Sequence, residues 1–218
     1  MPVHRDRLRE MLGHDLDASA IERRRREMER ALGREVRFEV AALDLLPDLL
    51  DRLVGQARTD ALTGTLNRRG LDRLLESEAA RAKRTGEPLA VLAVDVDEFK
   101  TVNDRHGHAW GDHVLRRIAE VLLRECRASD QVARAGGDEF LVVLPATSNL
   151  GAQVAARRIQ RALEGLDLLE GCPTRRPLER VTVSIGVASG LVPGELAARA
   201  DSALYAAKRA GRNRSVVA

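Results

Sequence analysis

The sequence predicts an α+β domain, one sheet with helices packed against it, preceded by a helical extension. Three observations carry this expectation. The unbroken apolar run Leu89-Ala90-Val91-Leu92-Ala93-Val94 has strand length and reads as a central strand covered on both faces. Gly136-Gly137 lies between two apolar stretches and reads as a hairpin turn, because glycine adopts positive φ at no steric cost. Around these runs, apolar residues recur at helical spacing.

Composition narrows the class. The chain has 218 residues, 44% of them hydrophobic and 32% charged, but only 2% aromatic. The core must therefore be built from Leu, Val, Ile and Ala. Scarce aromatics argue against a base-stacking module, so no nucleic-acid partner is expected. A net charge of +3 fits phosphate ligands and equally fits a solvated Arg-rich surface. Cys126 and Cys172 lack metal-ligand spacing and read as reduced thiols of a cytoplasmic protein. The sequence shows no signal-peptide pattern at its start and no run near the ~20 apolar residues of a membrane span.

Residues 1–58 form the extension. Ser19 followed by Glu22 has the spacing of a capping box, and the helix it opens should stop at Gly33. The run Arg23–Arg26 reads as a solvated helix face, with an acidic partner as the other possibility. Leu46, Leu50, Leu53 and Ala57 make a short heptad-like seam, either packed on the same chain or serving as a dimerisation stalk.

Residues 59–218 carry the chemistry. Arg58–Gly70 is rich in cap and turn residues and leads into a helix with Leu71, Leu74, Leu75, Ala79 and Ala82 on one face. Gly86-Glu87-Pro88 ends it. The apolar strand then runs into Asp95-Val96-Asp97, whose two acids share one face by strand alternation. Acids at a buried strand end need a cation, and a hard divalent ion suits them. The segment Phe99–Asp112 is polar and glycine-punctuated and reads as a loop. Its histidines, with His113, match no zinc spacing. Asn103 and Asp112 offer an amide and a carboxylate suited to a purine edge, guanine above all, whose N1–H and N2–H₂ are adjacent donors. A helix with Val114, Leu115, Ile118, Val121 and Leu122 follows, then the hairpin Gln131–Leu144 presenting Asp138 and Glu139 at its tip. A helix from Gly151 to about Leu166, a loop at Leu168–Arg180, a strand at Val181–Ala188, a helix ending near Gly211 and a short strand at Ser215–Val217 complete the reading.

With these residues in place, the chain closely resembles the GGDEF family of diguanylate cyclases from about Arg58 to Arg214. The resemblance rests on Asp60-x-Leu62-Thr63-Gly64 with Asn67-Arg68-Arg69, Asp95-Val96-Asp97-x-Phe99-Lys100-x-x-Asn103-Asp104, and Gly107-His108-x-x-Gly111-Asp112. It continues through Arg134-x-Gly136-Gly137-Asp138-Glu139-Phe140, Val183–Ala188, and Ala203-Leu204-Tyr205-x-Ala207-Lys208-x-x-Gly211-Arg212-Asn213. Thr65 departs from the family's usual leucine. The resemblance implies a central, mostly antiparallel sheet with flanking helices, similar to nucleotidyl-cyclase and polymerase palm domains. It implies condensation of two GTP into cyclic di-GMP by a homodimer, with Mg²⁺ (or Mn²⁺) as cofactor.

Position by position, the resemblance implies that Asp95, Asp138 and the Val96 carbonyl hold the metal and that Glu139 supports it. Asn103 and Asp112 would read guanine. The backbone at Glu98, Phe99 and Lys100, with the Lys100, Lys208 and Arg212 side chains, would grip the triphosphate beside Gly136 and Gly137. Arg127 and Asp130, with Arg158, resemble the family's inhibitory product site. A non-catalytic cyclic di-GMP receptor and a cyclase with a different base preference are the competing readings. The intact hairpin motif disfavours the first, and Asp112 disfavours adenine.

Overall fold

The computed structural model describes residues 18–38, 40–42, 44–45, 58–168, 181–190 and 193–218. The chain divides into two compact units, Met1–Ala57 and Arg58–Ala218.

In the first unit, α1 (Ala18–Leu32) ends at Gly33, whose φ of 61° lets its N–H reach the Glu29 carbonyl. Ser19 lies within the helix, not at its cap, and its hydroxyl accepts from Arg23. The arginine run is largely matched by acids on neighbouring turns. Arg24 pairs with Glu27 and Asp44, and Arg25 with Glu22 and Glu29. Ile21, Ala41 and Ala42 form a small buried cluster flanked by Met28, Phe38 and Leu45. The seam of Leu46, Leu50, Leu53 and Ala57 lies outside the described residues.

The second unit opens with α2 (Arg68–Thr85). Asn67 caps it by accepting from the Gly70 N–H, and Gly86 closes it at φ 72°. There follow β1 (Leu89–Val96), α3 (Phe99–His106), α4 (His108–Glu125), β2 (Gln131–Gly136), β3 (Glu139–Leu144), α5 (Asn149–Glu164), β4 (Val183–Gly190), α6 (Pro193–Arg209) and β5 (Ser215–Val217). The strands form one sheet in the order β2-β3-β1-β4-β5, antiparallel except for the parallel pair β4-β5.

The reading of one further segment is corrected. Phe99–Asp112 is not a loop but the two-turn helix α3 followed directly by the start of α4. Its polarity misleads because α3 buries no residue fully; Phe99 and Val102 alone lean on the core. Gly107, at φ 87°, breaks the two helices apart. The strand expected from Val181 begins at Val183, and of the loop expected at 168–180 only Leu168 is described.

Strand β1 is buried along its whole length, and its alternation builds the core. Ala90, Leu92, Val94 and Val96 face one layer with residues of α4 and α5, including Trp110, Leu115, Ile118 and Ile159. Leu89, Val91 and Ala93 face the other with Leu71 of α2 and Leu196, Ala200 and Leu204 of α6. No helix among the described residues is long and apolar enough to cross a membrane.

Helix α6 lies against bare backbone at Gly186 of β4. A Cβ there would overlap the Ala200 carbonyl and stand 2.9 Å from the Leu204 Cα, so only a helix shift could admit it. Gly186→Ala is expected to cost about 2 kcal/mol or more of stability. Chemical denaturation of the variant checks this, with an unchanged midpoint as the contrary result.

Candidate active site

The centre of the site is the end of β1. Asp95 follows the odd-numbered residues of the strand onto the α6 side, where only 4% of it is exposed. There the Nζ of Lys208, in the last turn of α6, stands 2.8 Å from its Oδ2. Glu139 is directly opposite Asp95 in the β1–β3 register, so both side chains share a face. The Val96 N–H donates to the Asp138 carbonyl at 3.4 Å and draws the hairpin tip onto the strand end. Burial pushes the Asp95 carboxyl above its ordinary pKa, against the pull of Lys208, and the charges of Asp138 and Glu139 push the same way. Asp95 is thus buried, Asp138 half-buried and Glu139 exposed. Among the described residues no three acidic, His or Cys side chains converge as a ready-made metal centre. The donors are all hard oxygens, which fits a divalent cation that completes its shell with phosphate and water.

Asp97, expected on the same face, is spent on structure. It accepts from Thr182 Oγ1 and Ser184 Oγ, both at 2.7 Å, and from the Asn213 N–H at 3.0 Å. Neutral donors therefore stabilise this carboxylate and clamp β1 to the start of β4 and to the turn before β5. Sequence spacing identified the acid but not its partners, which lie more than eighty residues away.

Helix α3 supplies the next part. Glu98 turns the chain with φ 56° and makes no side-chain cap. The first ladder bond runs from the Val102 N–H to the Glu98 carbonyl, so the amides ahead of it have no partner within the helix. Such amides favour anions. Lys100 is exposed, and Arg212 places Nη1 4.0 Å from Glu98 Oε1. A cavity of about 260 Å³ opens here, lined by Glu98, Thr101, Thr182 and Arg212 among others.

Asn103 of α3 meets α4 at Gly111. A Cβ on Gly111 would overlap Asn103 Oδ1 and stand 3.1 Å from the Phe99 ring, so glycine is required for the approach. Asp112 is the next residue. Asn103 Oδ1 is buried without a hydrogen-bond partner, an acceptor waiting for a donor. The histidines nearby serve packing: His106 and His113 flank Trp110, and His113 Nε2 is 3.0 Å from the Leu168 carbonyl.

The glycine turn is braced from behind. The Arg134 guanidinium donates to the Gly137 carbonyl through Nε at 2.8 Å and Nη2 at 2.7 Å, and through Nη1 to Asp60 Oδ1 at 3.1 Å. Asp60 in turn accepts from the Thr63 N–H and Oγ1, and the departing residue Thr65 joins through its hydroxyl, 2.9 Å from that of Thr63. In front, Gly136 faces open space and Gly137 has φ 34°, so a ligand can approach bare backbone. This bracing was not legible in the sequence.

The three residues of the expected inhibitory site fall in one neighbourhood but are engaged locally. Asp130 is buried and accepts from the Arg127 N–H at 2.8 Å and from Ser129 Oγ at 3.2 Å. Arg158 pairs with Glu125 at 3.4 Å and also donates to its carbonyl. The Arg127 side chain is exposed. Beside them, burial and the Asp130 charge push the Cys126 thiol up to about 12, so it is inert at neutral pH.

Hard oxygen donors at a strand end lie beside open amides, an arrangement chemically suited to a phosphorylated ligand with a counter-cation. The family model for "Diguanylate cyclase, GGDEF domain" matches residues 57–214, and the chain belongs to that family. Diguanylate cyclase DosC of Escherichia coli is 41% identical over 160 residues, covering 71% of this chain and 34% of the relative. The chain thus spans about a third of that relative's length. Two of the solved structures that share the fold show how far the likeness extends. The coiled coil and GGDEF domain of DgcB from Caulobacter crescentus, in complex with c-di-GMP, has a TM-score of 0.68 and 31% identity, over 88% of this chain and 99% of that one. Diguanylate cyclase SiaD of Pseudomonas aeruginosa, in complex with its activator SiaC, has a TM-score of 0.70 and 32% identity, over 99% of this chain and 80% of that one.

Asp60 gives a pH prediction. Burial pushes its carboxyl up, but the Thr63 and Arg134 hydrogen bonds prevail and hold it below the usual aspartate range. Its contribution is then complete above the unfolded value, about 3.9, and is lost as pH falls through the lower folded value. Asp60→Asn should melt at a lower temperature than wild type at pH 7, with the gap closing below about pH 4. Thermal denaturation across pH checks it.

Proposed function

We propose that the chain is a diguanylate cyclase that joins two GTP into cyclic di-GMP. The observation that carries the reading is Asp95, an almost solvent-free carboxylate with a single ammonium partner, which also lies within reach of the charges of Asp138 and Glu139. Such an arrangement is costly unless a second cation belongs there. The orphaned Asn103 oxygen beside Asp112 supports guanine as the base, since both groups would accept from its Watson–Crick edge.

In this reading the 3′-hydroxyl of one GTP attacks the α-phosphorus of the other. A phosphoester bond forms, the bond to pyrophosphate breaks, and the hydroxyl proton is lost. The same exchange in the opposite direction closes the ring and releases a second pyrophosphate. Asp95, Asp138 and the Val96 carbonyl would hold a divalent cation, magnesium or manganese, which supplies charge neutralisation and a more acidic hydroxyl. Glu139 supports that site from the exposed side. Asn103 and Asp112 orient the base, and the α3 amides with Lys100 and Arg212 hold the phosphates. Lys208, which neutralises Asp95 in the free chain, exchanges it for a phosphate oxygen. One domain provides one purine reader and one acid cluster, so a homodimer brings two nucleotides together. Arg127, Asp130 and Arg158 form the product-inhibition site once the product displaces their local bonds.

Incubation with GTP and Mg²⁺ tests the proposal. Cyclic di-GMP should accumulate, Asp138→Ala should abolish it, and absence of product from the dimeric wild-type chain would overturn the reading. In the metal-free chain the Asp95 carboxyl lies above its ordinary value, so a divalent cation must displace its proton and should bind more weakly as pH falls. Titration calorimetry with Mg²⁺ across pH measures this. Asn103→Ala should raise the KM for GTP about tenfold, the loss of one hydrogen bond to the base.

A further inference from the structure

Two successive residues that are not glycine, Arg212 at φ 58° and Asn213 at φ 47°, hold the left-handed backbone conformation. L-residues rarely adopt it, and successive instances persist only where surrounding bonds dictate them. Those bonds are visible. The Arg212 N–H donates to the Ala207 carbonyl at 3.1 Å, and Arg214 Nε donates to the Arg212 carbonyl at 2.9 Å. The Ile185 N–H donates to the Arg214 carbonyl at 2.9 Å. Asn213 is gripped twice from the interior: its N–H donates to Asp97 Oδ2 at 3.0 Å, and its Oδ1 accepts from Gln160 Nε2 at 2.8 Å. Asp97 is 7% exposed and Gln160 9% exposed. Gln160 Nε2 also reaches the Val183 carbonyl at 3.3 Å.

This network has an evident product. Gln160 comes from α5, on one face of the sheet, and Asp97 from the end of β1, two residues beyond Asp95. Together they fix the turn whose preceding residue, Arg212, lines the cavity at the open end of α3. Relaxed to right-handed backbone, the turn would redirect the Arg212 side chain.

We propose that Gln160 and Asp97, acting through Asn213, are positioning residues for Arg212, and that the buried polar network exists to aim that guanidinium at a polyphosphate. The proposal rests on the cyclase reading for the identity of the ligand. It assigns no chemistry to Gln160, which is remote from the acids of the site in sequence and buried away from solvent. Its unused Oε1 has no partner, so the amide is committed through its NH₂ alone.

The test is a double-mutant cycle read by calorimetric binding of inorganic tripolyphosphate to the whole chain with Mg²⁺, alongside GTP turnover. Gln160→Met keeps volume and removes the amide. It should weaken tripolyphosphate binding roughly three- to tenfold and raise the KM for GTP with kcat little changed. Asn213→Gly should give the same loss, although glycine suits the conformation and the variant should fold. In an Arg212→Ala background both effects should vanish. Equal losses with and without Arg212 would mean general destabilisation and would overturn the proposal, as would unchanged binding in both single variants. A wild-type chain that binds tripolyphosphate but makes no cyclic di-GMP would overturn the cyclase reading and leave the positioning result to stand. A wild-type chain that binds none overturns both.

Discussion

Strand β1 is covered on both faces, and that constraint governs where charge can sit around its end. Each residue of the strand must enter one of two apolar layers, so parity decides the surroundings of every side chain. Asp95 inherits the α6 layer from Ala93 and Val91, and meets Lys208 because α6 ends there. Asp97 lies just past the strand and is paired with hydroxyls and an amide instead. Two acids two residues apart thus take opposite solutions to the same desolvation problem. One is fully satisfied by neutral donors. The other keeps a single ammonium partner, and burial holds its carboxyl above the ordinary value.

The remaining parts of the candidate site are arranged around that strand end. The hairpin of β2 and β3 delivers Asp138 and Glu139 through antiparallel register with β1. Arg134 and Asp60 hold the tip of the hairpin from behind, so the entry segment at 58–67 is part of the mechanical support of the turn. The Leu66 N–H donates to the Val132 carbonyl and the Arg134 N–H to the Leu66 carbonyl, which extends the edge of the sheet by a few atoms and fixes that support. In the first unit, by contrast, the arginine run is matched with acids, which agrees with a solvated helix face.

Much of this was legible from residue pattern. The apolar run of β1, the glycine turn and the helical spacing at 71–82 and 196–207 each state a local preference that the fold obeys. The acid at 95 stood out because it ends a buried strand, those at 138 and 139 because they stand at the tip of a glycine turn, and the pair Asn103 and Asp112 because an amide and a carboxylate suit a purine edge. What was not legible was pairing at long range. Nothing local marks Asp97 as a clamp for Thr182, Ser184 and Asn213, or Arg134 as the partner of Asp60. Helix α3 escaped notice because it buries no residue fully, so it has no apolar stripe to announce it. The capping reading of Ser19 failed for a related reason: a local motif was taken as a boundary, and the helix includes it.

Gly111 has a consequence for the Asn103 amide that packs on it. The approach of Asn103 to α4 depends on an atom that is missing, and a methyl group at this position would displace the Asn103 amide, the end of a side chain, rather than any backbone. A substitution at Asp112 could be graded, trading one hydrogen-bonding group for another. A substitution at Gly111 acts indirectly, by turning the Asn103 side chain out of the place it now holds. The two positions therefore differ in kind: one changes a polar group in place, and the other moves a neighbouring one.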